Sequence, residues 1–263
     1  MSESIDLQRR GAVAFLSLAR PQVHNAFDAA LIAALSTALD ALAGDDGVRA
    51  LVLTGQGSTF SAGADLNWMR GMAKASEAEN LADSLELARL MRTLNFFPKP
   101  TVARVNGSAY GGGVGLVACC DIAIGVEGAK FSLSEAKLGL VPAVISPYVV
   151  AAIGSRQARK LFQTAEVFEA EEAARIGLLH RCVSAHELDE AVDRELHWLG
   201  KGGPIAQREA KTLALGIGGM SRAEAERIDA GNARLIARLR VSAEGQEGLT
   251  AFLDKRAPRW VNA

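Results

Sequence analysis

Two small-residue segments and one carboxylate hold most of the chemistry this sequence can offer. The first is Phe60-Ser61-Ala62-Gly63-Ala64-Asp65-Leu66, directly after the apolar run Ala50-Leu51-Val52-Leu53. The second is Asn106-Gly107-Ser108-Ala109-Tyr110-Gly111-Gly112-Gly113, directly after the run from Thr101 to Val105. In α/β sheets the loops that follow strands gather at one edge, where ligands bind. Bare backbone N–H groups at a helix start, backed by the helix dipole, suit an oxygen that gains negative charge. Two such groups converging make an oxyanion hole, and losing one donor of that kind raises a barrier by ~3–4 kcal/mol. Both segments also read as plain tight turns, and composition alone favours the turns. The carboxylate would come from among the 30 Asp and Glu residues, a group able to move a proton or orient a water.

Other catalytic signatures are missing. No G-x-x-x-x-G-K-[ST] loop cradles phosphates, and no G-x-S-x-G elbow presents a serine. Gly55-Gln56-Gly57 has Phe60 where a dinucleotide fingerprint needs its third glycine. His186-Glu187 would begin a zinc-protease helix only with histidine at 190, which is Glu190. The four histidines, His24, His180, His186 and His197, form no ligand pattern, so no metal is expected.

The elements that position these segments belong to an ordinary globular chain. It has 263 residues and a net charge of −1, from 29 Lys+Arg against 30 Asp+Glu. Hydrophobic residues make up 49% and aromatics 5%, which speaks against nucleic acid as the partner. Glycine, at 26 residues, exceeds the usual ~7% and points to places where a side chain must be absent. Three cysteines, two of them the adjacent Cys119 and Cys120, make no disulfide framework. The polar stretch Met1 to Arg10 carries no signal-like apolar run. The uncharged run Leu138 to Ser155 contains Pro142 and Pro147 and reads as a buried loop plus a short helix rather than a membrane span. These features place the protein in the cytoplasm of a bacterial-type cell or an equivalent reducing compartment.

Ala12 to Ala19 reads as a strand, and Asp28 caps a helix carrying Leu31, Ile32, Leu35, Leu39 and Leu42, closed by Gly44. A polar, Met-containing stretch from Trp68 to Asn80 leads into an amphipathic helix with Leu81, Leu85, Ala88 and Met91 on its apolar face. Pro98-Lys99-Pro100 stops it. A small-residue helix runs from Gly111 to about Cys120, followed by short strands at Ile122-Ala123-Ile124 and Phe131-Ser132-Leu133. This alternation predicts an α/β architecture with a strand–strand–helix rhythm. Gly200-Lys201-Gly202-Gly203-Pro204 marks a boundary between residues 1–200 and an all-helical 201–263. There Ser221 and Glu224 fit a capping box, Ala225, Ile228, Leu235, Ile236 and Leu239 line one face, and Leu249, Phe252 and Leu253 follow.

Taken together, these motifs resemble the crotonase (enoyl-CoA hydratase/isomerase) family. The residues that carry the resemblance are Arg20-Pro21, Asn25-Ala26, Phe60 to Leu66, Asn106-Gly107 with Gly111-Gly112-Gly113 and Leu116, and Cys120-Asp121-Ile122-Ala123-Ile124. Phe131 with Glu135, Gly139 with Pro142, and Ala173 with Gly177-Leu178 complete it, over essentially the whole chain. The resemblance implies a crotonase-like spiral of strand–strand–helix units over 1–200. It implies a helical region over 201–263 that builds homotrimers, often paired into homohexamers. The substrate would be an acyl-CoA thioester, CoA entering as part of it, with no separate cofactor. Its thioester oxygen would lie between the N–H groups of Ala62 and Gly112. Ala62, Gly63, Ala64, Asp65 and Leu66 would border the substrate together with Gly112.

One position departs from the family pattern. Typical hydratases carry two glutamates, and here the first position is Gly115 while the second is Glu135. A single glutamate is also what double-bond isomerases of the family use. The segment Ser132 to Val150, without the usual glycines after Pro142, is similar to bacterial 3-methylglutaconyl-CoA and γ-carboxygeranoyl-CoA hydratases. The expectation is therefore hydration of a branched or carboxylated enoyl-CoA through Glu135, with Gly115 opening room for the branch. The alternatives are a Δ3,Δ2-enoyl-CoA isomerase and a catalytically weak structural member. Asp65 is expected to cap a helix, Asp121 to fix a turn, and Cys119 and Cys120 to pack in the core. Tyr110, Trp68, Met69 and Met72 either border the acyl pocket or pack internally.

Overall fold

A computed structural model of the chain describes residues 4–262, so Met1 to Glu3, the start of the polar N-terminal stretch, lie outside the described residues. Two antiparallel strands open it, β1 (Ile5–Arg10) and β2 (Val13–Leu18). The sequence pattern missed β1 because it is polar, and polarity suits its place at the edge of the sheet. Asp28 then caps α1 (Ala29–Ala43), its carboxylate accepting the Leu31 N–H at 2.8 Å.

Three turns of a spiral follow, each placing one strand in a large sheet, one short strand in a small sheet, and then helix. The first turn is β3 (Ala50–Gly55), β4 (Thr59–Ser61), α2 (Leu66–Lys74) and α3 (Glu77–Asn95). The second is β5 (Thr101–Val105), β6 (Ser108–Tyr110) and α4 (Gly112–Cys119). The third is β7 (Ile122–Val126), β8 (Lys130–Ser132), the 3-10 turn Ser134–Leu138 and α5 (Ser146–Thr164). The chain continues through β9 (Phe168–Glu169), α6 (Ala170–Arg175), β10 (Arg181–Val183) and α7 (Leu188–Gly200). The large sheet runs β1-β2-β3-β5-β7-β10 and the small one β4-β6-β8-β9. Within them β2-β3-β5-β7-β10 and β4-β6-β8 are parallel. Nearly all of β3 is buried, as a parallel strand covered on both faces must be.

The C-terminal region is helical: α8 (Pro204–Ile217), α9 (Arg222–Val241) and α10 (Ala243–Leu253). Helix α9 lies along α3, and α10 rests on the 3-10 turn. A Cβ at Gly248 would sit 2.3 Å from the Leu138 carbonyl, so only glycine permits that approach. Helix α8 buries none of its residues and exposes Ile205, Leu213 and Ile217.

Three local expectations change. The stretch from Trp68 to Asn80 is helical on both sides of Ser76, which with Glu79 makes the reciprocal capping box. Ser221 does accept the Glu224 N–H, but the Glu224 carboxylate turns to Arg227 instead of closing a box. On α3, Leu85 is exposed while Asn80 and Ser84 are buried, because that face meets a polar group of α9. The run Leu138 to Ser155 divides into a turn and the first half of α5, which breaks at Gly154 (φ 76°). No helix among the described residues is long and apolar enough to cross a membrane.

Candidate active site

Parallel register brings the candidate segments to one edge of the small sheet. Ser61 of β4 stands beside Ala109 of β6, and Tyr110 of β6 beside Ser132 of β8. The residues that come next, Ala62 to Ala64, Gly111 to Gly113 and Leu133 to Glu135, therefore leave the sheet side by side. Gly63, at φ +81°, locks the first two loops together: a Cβ there would lie 2.9 Å from the Tyr110 carbonyl oxygen. The Gly111 N–H donates to the Ser132 carbonyl at 3.0 Å, and a Cβ on Gly111 would come within 3.2 Å of Glu135 Oε1.

The segment from Arg20 to Phe27 braces the first loop from behind. Buried Asn25 donates through Nδ2 to the carbonyls of Gln56 (2.9 Å) and Thr59 (2.8 Å), and accepts the Arg20 N–H at 2.9 Å. Ser61 Oγ donates to the Asn25 carbonyl. Phe27 forms a parallel bridge to Ala64, its N–H donating to Gly63 O (2.6 Å) and its C=O accepting from Asp65 N–H (2.8 Å). Such a bridge engages the two neighbours of Ala64, so the N–H of Ala64 itself faces the opposite side, where it lines a cavity. It has no hydrogen-bond partner among the described residues. Gly112 is the first residue of α4, so its N–H has no acceptor within the helix and lines the same cavity at the positive end of the dipole.

This geometry corrects the expected donor pair. The Ala62 N–H is engaged by the His24 carbonyl at 2.9 Å, so the two open donors are those of Ala64 and Gly112. Ala62 and Gly63 still line the cavity. Asp65 and Leu66 do not. Asp65 caps α2, accepting the N–H groups of Asn67 (2.8 Å) and Trp68 (3.3 Å) and pairing with Arg20 at 3.3 Å. Leu66 is 49% exposed.

Glu135 lies in the 3-10 turn, facing the cavity. Its Oε2 is buried with no hydrogen-bond partner. Desolvation pushes the carboxyl up to about 7, only partly opposed by a bond from its own backbone N–H. A carboxyl so poised can take and return a proton near neutrality. The cavity, about 250 Å³, is lined further by Trp68, Met69, Met72, Leu87, Ile236, Leu249 and Phe252. Tyr110 lines it as well.

A second correction concerns Gly115, which opens no room. A Cβ there would sit 2.3 Å from Ile145 Cγ2 and 3.2 Å from Met91 Cε, so Ile145 fills the space. Cys119 and Cys120 pack in the core, where burial raises both thiols, Cys120 to about 12. Asp121 ties its turn by accepting the N–H (2.8 Å) and hydroxyl (2.9 Å) of Thr101. Among the described residues no cluster of three His, Cys, Asp or Glu is placed to hold a metal.

The model of the family described as "Enoyl-CoA hydratase/isomerase" matches residues 8–263. The chain belongs to the enoyl-CoA hydratase/isomerase family. A crotonyl-CoA hydratase of Syntrophomonas wolfei is 32% identical, the match covering 99% of this chain and 98% of that protein. A 2,3-dehydroadipyl-CoA hydratase of Escherichia coli is also 32% identical, over 98% of each. The crystal structure of an enoyl-CoA hydratase from Shewanella pealeana superposes with a TM-score of 0.81 at 43% identity, covering 98% of this chain and 96% of that one. This member of the enoyl-CoA hydratase/isomerase family is thus an enzyme with the expected α/β architecture.

Sequence reasoning missed Arg240, which lines the cavity. A signal for it exists: Ala233, Ile236 and Ala237 are buried along α9, and helical spacing continues that stripe to Arg240. Residue type alone does not single it out, since Arg234 and Arg238 of the same helix are exposed.

Proposed function

We propose that the enzyme adds water across the double bond of an α,β-unsaturated acyl-CoA. The thioester oxygen rests between the N–H groups of Ala64 and Gly112. The Glu135 carboxylate takes a proton from water as its oxygen bonds to C3, and the electron pair of the double bond moves to the thioester oxygen as an enolate. The two amides hold that charge. The proton then passes from Glu135 to C2, restoring the carboxylate, so one group serves both transfers. The observation that carries this reading is the buried Glu135 carboxyl, its Oε2 without a partner, in one cavity with two open N–H donors.

Branched or carboxylated acyl groups, such as 3-methylglutaconyl, are the favoured substrates in this proposal. What supports them is the likeness of Ser132 to Val150, part of which, from Ser134 to Ile145, forms cavity wall. Assembly into a trimer or a hexamer is supported by the uncovered apolar side chains of α8. A second reading, double-bond isomerisation with Glu135 as the shuttling base, draws support from Ile145 occupying the space beside Gly115 where a second carboxylate would stand.

A panel of enoyl-CoAs in deuterated water, followed by mass spectrometry, tests the proposal. Hydration adds one D2O per molecule; isomerisation exchanges hydrogen without adding water. Glu135→Gln should lower turnover by ~10²–10⁴-fold. Undiminished hydration by that variant, with 3-methylglutaconyl-CoA included in the panel, overturns the assignment.

A further inference from the structure

Arg240 is the one arginine of the cavity wall, set among Trp68, Met72, Leu87, Ile236 and Phe252. Its side chain is 15% exposed. Among the described residues its side-chain acceptors all meet a single nitrogen: Nη1 donates to Asn80 Oδ1 (3.2 Å), Asp83 Oδ2 (3.2 Å) and Ser84 Oγ (3.4 Å). The guanidinium lies 6.0 Å from the Trp68 ring centroid. The three N–H groups of Nε and Nη2 have no hydrogen-bond partner among the described residues, and neither atom is fully buried. That edge is the planar fork that grips a carboxylate through two parallel bonds.

We propose that Arg240 determines specificity by binding a carboxylate at the far end of the acyl chain. The inference rests on the acyl-thioester reading above and deepens it. Arg240 enters from α9, and Glu135 from the turn at the sheet edge, so the two stand on different walls. A chain whose thioester meets Ala64 and Gly112 runs its tail between α2, α3 and α9, toward the fork. An arginine that only braced α9 to α3 would turn its fork to Asp83. Here Asp83 meets only Nη1, while its other oxygen accepts the Trp68 indole N–H at 3.1 Å.

The test compares kcat/KM for glutaconyl-CoA and the mono-CoA thioester of 2-hexenedioic acid with that for 2-pentenoyl-CoA and 2-hexenoyl-CoA. The wild type should prefer the carboxylated member of each pair. Arg240→Gln should lower that preference ratio by ~30-fold or more, since unpairing a buried carboxylate is a costly loss. Asp83→Asn, which removes the competing anion, should raise the ratio. A ratio that moves by less than about 3-fold in Arg240→Gln, with both substrates falling together, is what a brace would give and overturns the proposal. Should Arg240→Gln fail to fold, Arg240→Lys keeps the charge without the fork and Asp83→Asn keeps the arginine, and an unchanged ratio in both overturns it equally. Equilibrium binding of glutaryl-CoA against pentanoyl-CoA separates this proposal from the catalytic one. An arginine-dependent preference without turnover sinks the hydration reading alone, whereas equal affinities in the wild type sink this one.

Discussion

Where the proposal places the thioester, the donors are main chain and one side chain, Glu135, joins them. Ala64 and Gly112 present N–H groups held in place by strand register and by the Phe27 bridge. The far wall is side chain, drawn from α2, α3, α9 and α10, with Trp68, Met72, Leu87, Ile236 and Phe252 meeting there. Main-chain donors keep their aim as long as the sheet keeps its register. A side-chain wall changes with single substitutions on helices that carry no other part of the reaction. In the proposed reaction, reaction type would rest on the main-chain donors together with Glu135, and acyl preference on the far wall.

Three measurements would break or sharpen that contrast, beyond those given above. The largest effect is expected at Gly63. Gly63→Ala forces a Cβ to within 2.9 Å of the Tyr110 carbonyl at φ +81°, pushing the Ala64 and Gly112 donors apart. We expect kcat/KM to fall by ~10²–10³-fold for every acyl chain, the scale of a lost oxyanion donor. A loss confined to some acyl chains would break the division between the walls.

Next is Gly115, where the effect should fall on stability. Gly115→Ala places a methyl 2.3 Å from Ile145 Cγ2 and should cost about 1–3 kcal/mol, read by denaturant unfolding. Combining it with Ile145→Ala should give a protein more stable than the sum of the single changes implies. Simple additivity would mean that Ile145 does not fill this space.

The smallest effect is a pH dependence. Glu135 titrates near 7, and its ionised form is the base, so kcat/KM should rise about tenfold from pH 6 to pH 8 and then level off. The stability sign runs the other way. The folded-state value lies above the ordinary 4.5, so between 4.5 and 7 the folded protein holds a proton that the unfolded chain has released. Stability therefore falls as pH climbs through that window, and the charged carboxyl remains a penalty above it. Glu135→Gln should raise Tm relative to wild type at pH 8, with the gap narrowing as pH falls through 7 and closing below 4.5. A gap independent of pH would place the Glu135 carboxyl in water.

Much of the fold was legible in the sequence. Asp28 as a cap, Pro98 and Pro100 as a stop, and the strand from Thr101 to Val105 each follow from local chemistry that tertiary contacts do not override. The edge strand β1 was not legible, because a polar edge carries no apolar run to find. In the site, the glycine triplet stood out, since glycine where a chain must approach closely is marked by residue type, whereas Glu135 among 30 Asp and Glu was marked only by the family motif it shares with Phe131. Ala62 was expected as a donor and Ala64 is the open one. Neighbouring amides look alike in sequence, and only the bridge to Phe27 and the His24 carbonyl decide which N–H is engaged.

By itself, the sequence determined the α/β rhythm, the family, the two donor loops and the single carboxylate, because each depends on residue type and short spacing. The tertiary structure alone decided which amides stay open, that Ile145 closes the space beside Gly115, and that Arg240 faces the cavity. Each of these depends on contacts between residues far apart in the chain, Gly115 with Ile145 and Arg240 with Asn80, Asp83 and Ser84. Local periodicity narrows such pairings to a helix face, and packing selects the partner.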